Sequence, residues 1–259
     1  MMPTYAGWLG AGIVAVLTIA TIIDAILKWR VARGQPHADI DNVNARIASW
    51  WAIAAITGLA AWAGALAVFA LFATVSVLSL REYIAAPVPL HTPRRWIAGA
   101  VICVICMACI PALMTLALPE SGRQRGHNGL LLMYFLVVVQ ASDVLQYLWG
   151  KWLGRHPIAP AISPSKTVEG FTGGIICATL LGASLWRLTP FTLLEAAGVS
   201  LMITLLGFAG GLVLSAEKRA RGIKDWGRLI PGHGGLLDRV DSLWLAAPPF
   251  YWWVRVCHT

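Results

Sequence analysis

Charge is what this chain has least of. Only 12% of its 259 residues are Asp, Glu, Lys or Arg, where a soluble domain carries about a quarter. Acidic side chains are the scarcer sign, 12 against 20 Lys and Arg. With 58% of residues hydrophobic and a mean hydropathy of +0.70, these shortages exclude an ordinary water-soluble domain. Histidine and cysteine are sparse too, at six and five. The polar segments never gather them, which excludes a Cys/His zinc centre. Internal repeats and low-complexity tracts are not evident. Residues 1–7 have no basic stretch, and no small-residue cleavage site follows the first apolar run, so a signal peptide is not expected.

What is there instead is a series of long apolar runs. A bilayer core takes about 20 apolar residues per helix. Such runs lie roughly at 6–27, 49–80, 96–118, 130–149, 171–188, 193–214 and 242–254. As one helix, run 49–80 would be about 48 Å long, against a bilayer core of about 30 Å. The glycines at 58 and 64 offer a place to turn. Charge decides between the two: a hairpin puts sixteen of the 20 Lys and Arg on one side, a single crossing only twelve. The positive-inside rule prefers the hairpin.

The expectation is therefore an all-α, polytopic integral membrane protein of about eight transmembrane helices. Both termini lie outside, and the polar loops face the cytoplasm, as in a bacterial inner membrane. Residues 1–129 and 130–259 form one structural unit, and the second part holds the informative motifs. A net charge of +8 then reflects basic cytoplasmic loops and anionic lipid or nucleotide partners, not nucleic acid. Cys103, Cys106 and Cys109 fall on one side of one span and read as helix packing. Most tryptophans cluster near span ends and read as interfacial anchors.

The densest charge lies at 215–241, with six of the Lys and Arg and four of the Asp and Glu. Asp225, Asp238 and Asp241 are hard oxygen ligands suited to Mg²⁺, which takes one or two carboxylates and leaves its other positions to water and phosphates. Lys218, Arg219, Lys224, Arg228 and Arg239 are phosphate-binding side chains. Pro231, Gly232, His233, Gly234 and Gly235 form a glycine-rich turn whose N–H groups can approach an anion. His233 is equally well a turn residue. Together these read as a metal–nucleotide phosphate site.

A second stretch runs from 140 to 174. Asp143 sits in an apolar span, where a carboxylate costs about 2.5–3.5 kcal/mol, with Tyr147 one turn away. Helix packing and proton relay are the bland readings. The following loop holds Ser163, Lys166, Thr167 and Glu169, and Pro157, Pro160 and Pro164 make it stiff rather than helical. An even number of spans separates the two motif stretches, so both return to the same face.

The first stretch resembles the signature of the phosphatidate cytidylyltransferase (CDP-diacylglycerol synthase) family. The match rests on Ser215, Lys218, Arg219, Lys224, Asp225, Pro231, His233, Gly234, Gly235, Asp238, Arg239 and Asp241. The second stretch resembles the same family through Asp143, Tyr147, Gly150, Gly154, Ser163, Pro164, Lys166, Thr167, Glu169, Gly170, Gly173 and Gly174. Departures are Glu217 for an apolar residue, Gly211 for an acidic one, Gln146 for a small one and Ser165 for a lysine. The resemblance covers about 130–245 and is faint before that, limited to features such as Arg81, Glu82 and Tyr83.

The resemblance implies that CTP and phosphatidate give CDP-diacylglycerol and pyrophosphate, with Mg²⁺ or Mn²⁺ as cofactor. Asp143, Asp225, Asp238 and Asp241 are expected around the metal. Lys166, Lys218, Arg219, Lys224 and Arg239 are expected on phosphates. Tyr147, Ser163, Thr167, Glu169, Ser215, His233, Gly234 and Gly235 are expected near substrate. Membrane lipids are the further partners, and a homodimer is compatible. The competing readings are a cytidylyltransferase for another lipid phosphate, a non-catalytic family member, and a transporter that uses Asp143.

Overall fold

The computed structural model describes residues 4–32, 38–87, 93–118, 128–227, 229 and 234–259. Among them are eight α-helices: α1 (Thr4–Leu27), α2 (Ala38–Ala63), α3 (Ala65–Ala85), α4 (Pro93–Ala112), α5 (Asn128–Leu153), α6 (Val168–Ser184), α7 (Leu193–Ala220) and α8 (Leu237–His258). Five stretches are long and apolar enough to cross a membrane: Gly10–Arg30, Ala65–Ala85, Ile97–Thr115, Asn128–Leu153 and Leu193–Ala220. The architecture is that of an all-α polytopic membrane protein, with one addition. The stiff segment after α5 forms a two-stranded antiparallel hairpin, β1 (Pro157–Ala159) and β2 (Ser163–Thr167), pairing Pro157 with Thr167 and Ala159 with Ser163.

The long run at 49–80 is broken at Gly64, whose φ of 102° favours a residue without Cβ. Thr57, Ala60 and Ala61 of α2 line one small apolar void together with Val68, Leu71 and Phe72 of α3. In a straight helix Thr57 and Phe72 would stand about 22 Å apart, so the chain reverses here. The hairpin returns the start of α2 and the end of α3 to one end of the bundle.

Local signals explain the other boundaries. Pro93 opens α4, where a missing N–H costs nothing. Thr192 and Glu195 form a reciprocal capping box at the start of α7, with hydrogen bonds of 2.7 and 3.3 Å. Thr167 caps α6 by accepting the N–H of Gly170. α5 and α6 meet backbone to backbone: a Cβ on Gly170 would lie 2.7 Å from the Gln146 carbonyl oxygen, and one on Gly174 would lie 2.6 Å from the Gln146 nitrogen. The motif glycines of this stretch are thus a packing seam.

One core extends from Val68 to Val254 and includes Cys103, Cys106 and Cys109, all free thiols. At its centre Phe135 stacks on Phe250, centroids 4.8 Å apart. The Tyr134 hydroxyl is satisfied there by the Ala196 carbonyl and Ser200. The core joins α3, α4, α5, α7 and α8, so the N-terminal helices are built into the same body as the motif-bearing ones. α1 packs against α2, where the Trp51 indole N–H donates to the Thr21 hydroxyl at 3.0 Å, and leaves Val14, Val16, Ile19 and Ile22 exposed, the surface expected of a helix facing lipid.

Candidate active site

The charged stretch 215–241 begins and ends on helices. Ser215, Lys218 and Arg219 ride on the last turns of α7, and Asp238, Arg239 and Asp241 on the first turns of α8. Between them run Arg221–Gly227 and the turn at Gly234–Leu236. Pro231, Gly232, His233 and Arg228 lie outside the described residues.

The two motif stretches meet. Arg219 donates from Nε to the Ile162 carbonyl in the hairpin turn, 3.2 Å away, and from a terminal nitrogen to the Ile223 carbonyl. Lys166 of β2 reaches into α7: its Nζ lies 3.4 Å from the Phe208 carbonyl and 4.5 Å from the centre of the Phe208 ring. A Cβ on Gly211 would stand 2.9 Å from that Nζ and 4.0 Å from Asp241 Oδ2. Gly211 therefore leaves room for the Lys166 ammonium.

Around that ammonium the structure gathers groups from four elements. Asp143 on α5 interacts with Asp241, Lys166 and Arg239, and is hydrogen-bonded by Ser242. The Ser242 hydroxyl also lies 3.4 Å from Asp241 Oδ1. Asp241 feels Lys218, Lys166 and Arg239 as favourable neighbours and Asp238 as an unfavourable one. The Arg239 Nε is buried with no hydrogen-bond partner among the described residues. Burial pulls the Lys166 ammonium below the ordinary lysine value, and Asp143 and Asp241 oppose the shift. Two mutually repelling carboxylates and two cations, one with a donor unpartnered among the described residues, are a centre with capacity for a further ligand.

Asp238 is different. Its Oδ1 accepts from Lys218 Nζ at 2.6 Å, and its Oδ2 accepts from the N–H groups of Trp226 and Gly235 at 2.8 and 3.0 Å. The pair is buried, with side-chain exposures of 2% and 9%. Lys218 and Asp238 are thus joined to each other and to the turn. Gly234 closes that turn with φ +83°, where a Cβ would press on Asp225 and Asp238 at 3.2 and 3.1 Å. Lys224, Asp225 and Tyr147 are exposed, and Ser163 and Ser215 are half-buried near the same end. Thr167 is engaged as a cap. Glu169 holds the Arg155 and His156 amides and the His156 ring.

Sequence reasoning gave no role to Glu82, Tyr83, Arg221 or Trp226. Glu82 accepts the Leu236 and Leu237 amides at 2.9 and 2.8 Å. Arg221 is buried between the rings of Tyr83 and Trp226, 4.2 and 5.0 Å from their centres. It pairs with Glu217 at 2.8 Å and donates to the Tyr83 carbonyl. Glu217, a departure in the signature, is thereby accounted for as the partner of Arg221. The one signal available was an acidic residue ending an apolar run at Glu82.

The model of the cytidylyltransferase family matches residues 86–257, the span that holds Asp143, Lys166, Arg239 and Asp241. The chain belongs to the cytidylyltransferase family. An Escherichia coli K12 protein described as "Uncharacterized protein YnbB" is 33% identical over 95% of this chain and 97% of its own length. Proteins of Staphylococcus aureus COL and Staphylococcus haemolyticus, both described as phosphatidate cytidylyltransferase, are 41% and 40% identical. Each of those alignments covers 45% of this chain and 46% of the relative.

Proposed function

We propose that the protein transfers a cytidylyl group from CTP to phosphatidate, giving CDP-diacylglycerol and pyrophosphate. The observation that supports this most is the meeting of Asp143, Lys166, Arg239 and Asp241 at one polar end of an apolar helical bundle. The acceptor phosphate is already a nucleophile, so no covalent enzyme intermediate and no strong base are needed. One of its oxygens bonds to the α-phosphorus of CTP as the bond from that phosphorus to the bridging oxygen breaks. The electron pair leaves with pyrophosphate.

The protein's task is to bring two anions into line and neutralise the charge that develops. Lys166 and the Arg239 Nε, which has no partner among the described residues, suit phosphate oxygens. Lys218 and Asp238 hold the turn that orients Arg239 and Asp241. The donor set fits a divalent cation: Asp143 and Asp241 are two mutually repelling carboxylates, and Mg²⁺ accepts one or two with water and phosphates completing its shell. Among the described residues no third His, Cys, Asp or Glu joins them. Bound there, Mg²⁺ or Mn²⁺ would offset charge on the α-phosphate and the leaving group.

Purified protein should release pyrophosphate from CTP only when phosphatidate is present, and chelation should stop it. Release without a lipid phosphate, or undiminished after chelation, would sink the reading. The polar end belongs on the cytoplasmic side by its basic residues.

A further inference from the structure

We infer that Glu82 is a positioning residue of the active site, contributed by an N-terminal helix that lies before the family match begins at residue 86. The inference rests on the reading above for its kinetic arm only.

α8 starts without a cap of its own. Leu236 stands at its cap position in helical conformation and makes no side-chain cap bond. A helix start leaves N–H groups that must find acceptors. Three consecutive amides leading into the helix are taken by carboxylates: Gly235 by Asp238 Oδ2, Leu236 by Glu82 Oε1 and Leu237 by Glu82 Oε2. Glu82 thus caps from 154 residues away, with both oxygens engaged and its charge at the positive end of the helix.

The surroundings are shaped to admit it. A Cβ on Gly227 would lie 2.7 Å from Oε1, and one on Gly235 would lie 2.6 Å from Oε2. The next residue grips the other side of the same turn. Tyr83 accepts Arg221 on its carbonyl at 3.0 Å, packs its ring 5.2 Å from that of Trp226, and reaches Glu217 at 3.4 Å. The end of α3 therefore holds the end of α7 and the start of α8 together. What it fixes is the first turn of α8, which carries Arg239 and leads directly into Asp241. By occupying the helix start, Glu82 also keeps substrate phosphates off it.

Glu82→Gln, which keeps size and loses one acceptor, and Glu82→Asp, which keeps charge, test this in the full chain in detergent. Turnover in Glu82→Gln should fall about 10–100-fold, as expected of a misplaced reacting group. KM for CTP should move by less than about threefold, and Glu82→Asp should recover part of the loss. An activity-independent measurement accompanies it. Amide exchange over 234–240 should quicken about tenfold in Glu82→Gln, with 163–170 unchanged. If Glu82→Gln fails to accumulate, Glu82→Asp takes the exchange measurement and should give a smaller rise at the same amides. Unchanged exchange at 234–240, or full turnover in Glu82→Gln, overturns the inference. Wild-type protein that makes no CDP-lipid while exchange responds would overturn the proposed reaction and support the clamp.

Discussion

Asp238 and Asp241 lie three residues apart at the start of α8, yet their surroundings have opposite logic. Around Asp238 both carboxylate oxygens are engaged, by Lys218 and by the Trp226 and Gly235 amides, and Glu82 takes the amides of Leu236 and Leu237. Around Asp241 the groups are gathered but unspent, with the Asp143 carboxylate repelling it and a buried Arg239 nitrogen that has no partner among the described residues. A satisfied buried network rigidifies, while an unsatisfied one is costly unless something else completes it. The Asp238 side of the helix start is therefore scaffold, and the cluster of Arg239, Asp241, Asp143 and Lys166 is where the proposed function puts substrate and metal.

The largest expected effect comes from removing an unspent carboxylate. Asp143→Asn and Asp241→Asn should each lower turnover about 10²–10³-fold, the scale of losing a preorganised electrostatic group. Folding should not suffer, because each change relieves repulsion between like charges. Raised Mg²⁺ should recover part of the rate. Turnover and melting temperature measured on one preparation decide it, and a wild-type rate in either variant removes that residue from the site.

Asp238→Ala should fail in the opposite way. It strands the Lys218 ammonium in a buried place, a change that costs about 3–5 kcal/mol. Less folded protein should accumulate and its melting temperature should drop. If Asp238→Ala instead melts like wild type and only turnover is lost, the division between scaffold and site collapses.

Much of this arrangement is legible in the sequence because it depends on composition and local chemistry. Long apolar runs mark the helices, and the glycine at 64 marks the reversal inside the longest run. The charges of the signature mark the polar end, and an even number of spans between the motifs anticipates the Arg219–Ile162 contact. What the sequence hides is partnership. Asp238 and Asp241 are the same residue type in the same motif, and only the fold shows which one Lys218 takes. Glu82 lies 154 residues from the amides it caps, and its pattern neighbours are ordinary apolar residues. Thr167 and Glu169 look like substrate contacts in a motif, but their oxygens meet local backbone amides. The hairpin was expected only as a stiff segment, because three prolines hide strand pairing as well as helix.

Gly211→Ala probes the border between scaffold and site with a smaller effect. Inside a helix, alanine is favoured over glycine by about 0.5–1 kcal/mol, so the melting temperature should hold or rise. The new Cβ would lie 2.9 Å from Lys166 Nζ, the free end of a flexible side chain, which can retreat cheaply. Retreat carries the ammonium away from Asp143 and Asp241, and turnover should fall about tenfold. Equal turnover in Gly211→Ala would mean that the ammonium's position does not matter.

The smallest and most specific effect is on pH dependence. Burial lowers the proton affinity of Lys166, with Asp143 and Asp241 opposing, so its charge is lost below the ordinary lysine value of about 10.4. Activity that needs the ammonium should decline on the alkaline side before that value is reached. Between the lowered value and the ordinary one, the unfolded chain holds more protons than the folded one. Stability contributed by Lys166 should therefore rise with pH in the same window where activity falls. Lys166→Arg separates the two, since a guanidinium stays charged throughout. Its alkaline limb should move upward and the matching rise in melting temperature should vanish, with a few-fold lower rate at neutral pH from the altered shape. An unchanged limb in Lys166→Arg would assign the titration to another group and place Lys166 with the scaffold of Asp238.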